Sequence, residues 1–225
     1  MKEPMKEIYF TPEKLSARAS EFLHQLEGIH SRRLNRFDPD RSALLALDLQ
    51  SYFLDPDSHA FIPSAEAILP GIDSLMQAYA RRHLPIFLTR HINQPQDAGL
   101  MATWWRELIS PTNPLSQITS RLDKSLGVEI QKCQYDAFYR TPLEEMLRRN
   151  AVTQVVVCGV MTHLCCETTA RSAFMRGFEV FFTVDGTATY NEAFHRATLL
   201  NLAHGFATPA LVGEILSAVE RQDGG

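Results

Sequence analysis

The sequence predicts a three-layer αβα fold on a doubly wound, mostly parallel sheet. Three observations carry that prediction. Apolar runs of strand length alternate with segments of helical period along most of the 225 residues, the pattern of a parallel sheet with helices on both faces. Two of the runs, Ala43 to Leu47 and Val155 to Val160, are continuously apolar, as expected of strands buried on both faces. No internal repeat, low-complexity stretch or linker divides the chain, so residues 1–225 are expected to form one domain, with a leading helical segment over about 1–40.

Residues 12–27 are expected to form that leading helix. Thr11 stands at the N-cap, Pro12 at the first helical position and Glu13 at the positive end of the dipole. Leu15, Ala19, Phe22 and Leu26 fall on one face. A polar connector follows from Ser31 to Arg41, and Ala43 to Leu47 forms a strand that ends at Asp48. A helix is expected over 64–82, with Ile68, Ile72, Leu75, Met76 and Tyr79 on one face and a kink or fresh start at Pro70-Gly71. A second strand covers 84–89, then a loop-rich stretch over 91–127 holds a short helix at 100–109. The rest reads as a brief strand at 129–132, a helix at 142–150, a strong strand at 154–160, and a helix at 163–176 stopped by Gly177. A strand at 178–184, a helix at 191–204, a short strand near Ala207 and a final helix at 209–220 complete the order.

Composition excludes several classes. With 22 Lys and Arg against 26 Asp and Glu, the formal net charge is -4. Nothing pulls phosphates, so nucleic acid is not an expected partner, and the pairs Arg32-Arg33 and Arg148-Arg149 read as solvated surface. No run is long and apolar enough for a membrane span, and Met-Lys-Glu-Pro-Met-Lys-Glu lacks a signal peptide's apolar stretch. A cytoplasmic location is expected. The four cysteines, at 133, 158, 165 and 166, have the spacing of neither a disulfide framework nor a zinc site.

In doubly wound sheets ligands bind beyond the carboxyl ends of the strands. Asp48, Lys132 and the turn from Gly159 to Cys165 all fall at such ends. Cys165 would sit near the first turn of the following helix, where free N–H groups favour a thiolate. Each residue also has a plain structural reading. Cys165 suits a packed core, Asp48 suits a turn cap, and Lys132 suits a solvated surface. Spacing alone does not bring the three together.

Three segments, in order, change that balance: Ser42 to Leu54 with Asp48-x-Gln50-x-x-Phe53, Lys132 to Leu143 with Lys132-x-x-Tyr135-x-Ala137-Phe138, and Gly159 to Ala170. On these segments the chain resembles the isochorismatase-like cysteine hydrolases, over roughly residues 40–210. The resemblance implies an isochorismatase-like fold and a catalytic triad of Asp48, Lys132 and Cys165. It also implies a cis bond between Val160 and Met161, and an oxyanion site at the N–H groups of Met161 and Cys165. The implied reaction cleaves a small-molecule amide or ureido C–N bond through a covalent thioester, without a cofactor, in a homo-oligomer. Gln50, Phe53, His91, Trp104, Phe138 and His163 are the candidate substrate contacts. Of the pair Trp104-Trp105, one side chain is expected in the core and the other over the pocket or at a subunit interface.

The chain departs from named activities of that superfamily. Isochorismatases tend to carry Gly at the position of Cys165, and their substrate-binding Gln and Arg fall at His91 and Ala98, which removes an arginine clamp for an anion. Vinyl-ether hydrolysis with Asp48 as the acid is therefore the alternative activity, and a noncatalytic assembly module the alternative class. Nicotinamidases bind zinc through an Asp-x-His pair and further histidines. Asp57-Ser58-His59 with His91 is the matching composition here, but the first three lie among prolines and read as a solvated loop, so no metal is expected.

Overall fold

The computed structural model describes residues 5–29 and 33–221. The residues before Met5, together with Ser31 of the connector and Arg32 of the basic pair, lie outside them. In chain order the elements are α1 (Leu15–Gln25), β1 (Ser42–Leu47), α2 (Ser51–Leu54), α3 (Ala65–Arg81), β2 (Ile86–His91), α4 (Met101–Trp104) and β3 (Val128–Lys132). They continue with α5 (Leu143–Arg149), β4 (Gln154–Val160), α6 (Glu167–Met175), β5 (Glu179–Ala188), α7 (Glu192–Gly205), β6 (Thr208–Ala210) and α8 (Val212–Arg221).

The sheet has six strands in the order β3-β2-β1-β4-β5-β6. All five pairings are parallel, so the mostly parallel sheet expected is wholly parallel among the described residues. Helices cover both sides. Burial follows position in the sheet. Every residue of the central β1 and β4 is buried, whereas edge strand β3 buries Ile130 and Lys132 and exposes the residues between and before them. The chain leaves β1 in one direction toward β2 and returns on its other side as β4. The crevice where ligands enter such folds therefore lies past the ends of β1 and β4, next to Asp48 and the turn after Val160.

Several boundaries differ from the sequence reading, each for a physical reason. The leading helix starts at Leu15, because residues 12–14 form a separate turn in which the Thr11 carbonyl accepts from the N–H groups of Lys14 and Leu15. α3 continues through Pro70 with no fresh start. Its Ser64 hydroxyl is used elsewhere, accepting the N–H groups of Tyr9 and Phe10 at 3.0 and 3.1 Å. The helix expected over 100–109 stops at Trp104. β5 extends to Ala188, with a shift in its register against β4 between Val157 and Gly159. At Gly159 the φ angle is +115°, and a Cβ would fall 2.1 Å from the Leu47 carbonyl oxygen, so only glycine lets β4 pass this close to β1.

Candidate active site

The site is assembled from three strand ends. Asp48, the first residue past β1, has a left-handed backbone (φ 52°), which Asp adopts more readily than most residues. Its N–H bonds to Thr89 Oγ1 at 3.0 Å, and the Thr89 hydroxyl donates back to Asp48 Oδ1 at 2.7 Å. β2 thereby fixes the carboxylate. Its other oxygen lies 2.7 Å from Nζ of Lys132, the last residue of β3, and both side chains have 0% exposure. Burying either charge alone would cost several kcal/mol; pairing is what permits the lysine to be buried, contrary to its ordinary surface habit.

The same ammonium lies 3.3 Å from Cys165 Sγ, 3.3 Å from His91 Nδ1 and 2.8 Å from the Gln134 carbonyl. The three predicted residues therefore converge. Burial would lower the Lys132 pKa, but Asp48 and Cys165 outweigh it and hold the pKa up, so the amine stays charged. The Cys165 thiol is pushed up by burial and by the Asp48 carboxylate, with Lys132 pulling partly back. The thiolate expected from a helix start is thus disfavoured at rest by burial and by the neighbouring Asp48 carboxylate. His91 is pushed down to about 4 by burial and by the Lys132 cation. The neutral ring accepts from the ammonium at Nδ1 and donates from Nε2 to Asn93 Oδ1 at 2.8 Å.

The backbone at Cys165 also differs from expectation. The Val160–Met161 peptide is cis. Thr162–Cys166 then form a π-helical turn, with the Cys166 N–H reaching the Met161 carbonyl at 3.2 Å, and α6 begins only at Glu167. This turn is supported from behind. Thr162 Oγ1 lies 3.1 Å from Nδ1 of the buried His195, which lies 3.2 Å from the hydroxyl of Tyr9 in the N-terminal segment. Sequence reasoning missed Tyr9, Thr89 and His195 because each acts through a partner far along the chain.

A cavity of about 70 Å3 opens onto the thiol. Of the triad, Cys165 lines it, while Asp48 and Lys132 are sealed behind. Its walls include Tyr52, Phe53, Met101, Trp105, Leu108, Ile109, Tyr135, Met161, Leu164 and Tyr190. The polar lining comprises His59, His91, Asn93 and Glu107; no lysine or arginine contributes.

The six expected substrate contacts divide. Phe53 and His91 line the cavity; Gln50, Trp104, Phe138 and His163 do not. Gln50 is buried and structural, donating to the carbonyls of His91 and Ser116 and accepting the His91 N–H at 2.7 Å. Phe138 stacks on Phe178 in the core, with ring centroids 6.0 Å apart. His163 bonds Thr189 Oγ1 at 2.7 Å and stacks on Phe194. Trp104 is 64% exposed, and its neighbour Trp105 takes the wall position, donating its indole N–H to Tyr135 Oη at 2.8 Å. Neither tryptophan is in the core, contrary to the expectation for one of them: Trp105, just past the end of α4, is half-buried at the wall because its indole is held by Tyr135, and Trp104 is exposed.

The chain matches the isochorismatase domain over residues 42–214. It is 40% identical over 171 residues to nicotinamidase 3 of Arabidopsis thaliana, covering 74% of this chain and 82% of that one. A cysteine hydrolase from Pseudomonas syringae pv. phaseolicola superposes with a TM-score of 0.78 at 26% identity, covering 82% of this chain and 95% of that one. A pyrazinamidase of Pyrococcus horikoshii in complex with zinc has the same fold, with a TM-score of 0.69 at 23% identity, covering 76% of this chain and 99% of that one.

The Asp57, His59 and His91 composition raises the question of a metal here. Among the described residues, Asp48, His91 and Cys165 are the group whose ligand atoms lie within 4.8 Å of one another. The Lys132 ammonium already stands at 2.7 to 3.3 Å from all three, so a second cation would have to displace it from a salt bridge. His59 is held apart from that group, facing the Tyr52 hydroxyl and Glu107. The donor set does not fit zinc. What remains is a thiol, a carboxylate and an ammonium at the switch point of a wholly parallel sheet, and with the domain match this places the chain in the isochorismatase family of hydrolases.

Proposed function

We propose that this hydrolase is a thiol amidohydrolase acting on a small neutral amide, with nicotinamide as the first candidate. The observation that carries the reading is the Lys132 ammonium set between Asp48 (2.7 Å) and Cys165 (3.3 Å) beneath the cavity. The 40% identity to a protein named nicotinamidase 3 supports the substrate. So does the volume of about 70 Å3, which holds about five to seven waters at roughly 10–15 Å3 each and suits a single small ring. The lining lacks a cation for a carboxylate, in keeping with the arginine position occupied by buried Ala98.

The chemistry follows from the charges. Sγ of Cys165 attacks the amide carbon while its proton passes to Asp48, and Lys132 offsets the negative charge that develops on sulfur. The N–H groups of Met161 and Cys165 receive the tetrahedral oxyanion, an interaction worth about 3 kcal/mol per donor. Asp48 returns the proton to the departing amine, leaving a thioester. Water then adds with Asp48 as base, and the collapse releases the acid and restores the thiol. Vinyl-ether hydrolysis would need an acid and no thiol, so Cys165→Ala separates the two. Ammonia release from nicotinamide by the parent, lost in Cys165→Ala, is the expected result; turnover retained in that variant rules the mechanism out.

The same proposal includes a homo-oligomer in the cytoplasm. Trp104 and Leu100 expose apolar surface on the insert, as an interface core requires, and the four cysteines are free, as in a reducing compartment. Sedimentation at micromolar concentration showing only monomer would remove the first part.

A further inference from the structure

We propose that Glu107 determines specificity by charge, turning away substrates with a carboxylate and admitting neutral or cationic amides. The proposal rests on the amidohydrolase reading for its substrate class alone. Glu107 is the one carboxylate in a cavity lining that has no lysine or arginine. It is positioned, since the buried Tyr52 donates its hydroxyl to Glu107 Oε1 at 2.6 Å and His59 Nδ1 lies 3.3 Å from the same oxygen. The catalytic pair does not offset it, because Asp48 and Lys132 neutralise one another. Two cations stand near the cluster without lining the cavity: Lys6, whose ammonium bonds the His59 carbonyl and lies 4.8 Å from the Tyr190 ring centroid, and Arg106, the residue next to Glu107. They reduce the field of Glu107 at the rim. The Glu107 side chain is 49% exposed, so solvent screens its field and the discrimination expected is about tenfold. Sequence reading passed over this residue, because an acid in a loop-rich insert looks like any solvated charge.

The test uses the full chain and two small alkylating probes of similar shape, neutral iodoacetamide and anionic iodoacetate. Labelling rates at Cys165 are read by peptide mapping at low salt. Cys133, outside the lining, serves as internal reference. Glu107→Gln should raise the iodoacetate to iodoacetamide ratio at Cys165 about tenfold, and Glu107→Asp should keep the parental ratio. In the parent, raising the salt concentration should lift the ratio toward that of Glu107→Gln. A Cys165 ratio unmoved by Glu107→Gln and by salt overturns the proposal, as does an equal change at Cys133. No turnover is needed. A parent that hydrolyses no amide removes the amidohydrolase reading while these labelling ratios still decide the role of Glu107.

Discussion

Two ionic clusters flank Cys165, one sealed behind the cavity and one in its wall, and they are built differently. Asp48 and Lys132 stand at the ends of β1 and β3, with both side chains 0% exposed and 2.7 Å apart. Glu107, His59 and Tyr52 come from loops and a one-turn helix, and the Glu107 side chain is 49% exposed. The first cluster is part of the sheet and cannot move without disturbing the core. The second can change residue by residue while the sheet stays intact, which is how loops on a rigid scaffold carry selectivity. The difference teaches where each kind of substitution should act: at the strand ends on chemistry and stability together, in the loops on recognition.

The largest effect expected is at the thiol. Cys165→Ala should lower amide turnover by at least about 10^3-fold, the scale for losing a covalent nucleophile, with the melting temperature little changed. Lys132→Met comes next. It should cut turnover by about 10^2-fold, because the charge developing on sulfur loses its counter-ion. It also leaves Asp48 buried without a cation, at a cost of about 3–5 kcal/mol, read in a denaturant titration. Adding Asp48→Asn removes the orphaned charge and should recover much of that stability, with turnover still lost. A Lys132→Met protein as stable as the parent would break the comparison, since the pair would then not belong to the core.

The strand-end cluster was legible in the sequence and the loop cluster was not. Asp48 ends an unbroken apolar run and Cys165 follows another, so periodicity alone placed both near the carboxyl edge of the sheet. Lys132 needed the family resemblance, because a lysine on an edge strand reads as solvated until its partner is known. The turn at Thr162–Cys166 was read as the start of a helix, and no local signal distinguishes a π-helical turn from an α-helical one there. Gln50 lies within the Asp48 motif, yet its amide is consumed by His91 and Ser116, partners that only the folded insert brings near. Phe138 is likewise taken by Phe178 and His163 by Thr189 and Phe194. Motifs identify residues held in place by the sheet; they do not tell which of their neighbours line the cavity.

The protonation of the thiol gives a third, smaller effect. Burial and Asp48 hold the Cys165 thiol above its ordinary value, and alkylation proceeds through the thiolate. Raising the pH deprotonates more of it, so the iodoacetamide rate at Cys165 should climb about tenfold per pH unit from 7 to 9, where a free thiol of pKa about 8.5 begins to level off. Removing the competing carboxylate in Asp48→Asn should shift the rise to lower pH, because Lys132 then acts on the sulfur unopposed. A rate plateau below pH 8 in the parent would mean that the ammonium outweighs burial and the carboxylate, and the resting site holds a thiolate.

The smallest effect belongs to the cavity wall and asks whether loop positions act on recognition alone. Trp105 lines the cavity and donates to Tyr135 Oη at 2.8 Å, whereas Trp104, one residue earlier, is 64% exposed. Trp105→Phe keeps most of the apolar surface and deletes the indole donor. One hydrogen bond contributes about 1 kcal/mol net, roughly a fivefold change in an equilibrium. That is the upper bound on the effect here, because the bond holds Tyr135 at the wall and does not reach substrate. KM for the neutral amide should rise by no more than about fivefold, with kcat within about twofold, since Asp48, Lys132 and Cys165 are untouched. Trp104→Ala should move neither constant in the assembled protein. If Trp104 sits at a subunit interface, the substitution instead lowers the sedimenting mass at low protein concentration, a readout that Trp105→Phe leaves unchanged. Equal rises in KM for the two variants would show that the exposed tryptophan also reaches substrate, and the division between a wall residue and a surface residue at this pair would fall.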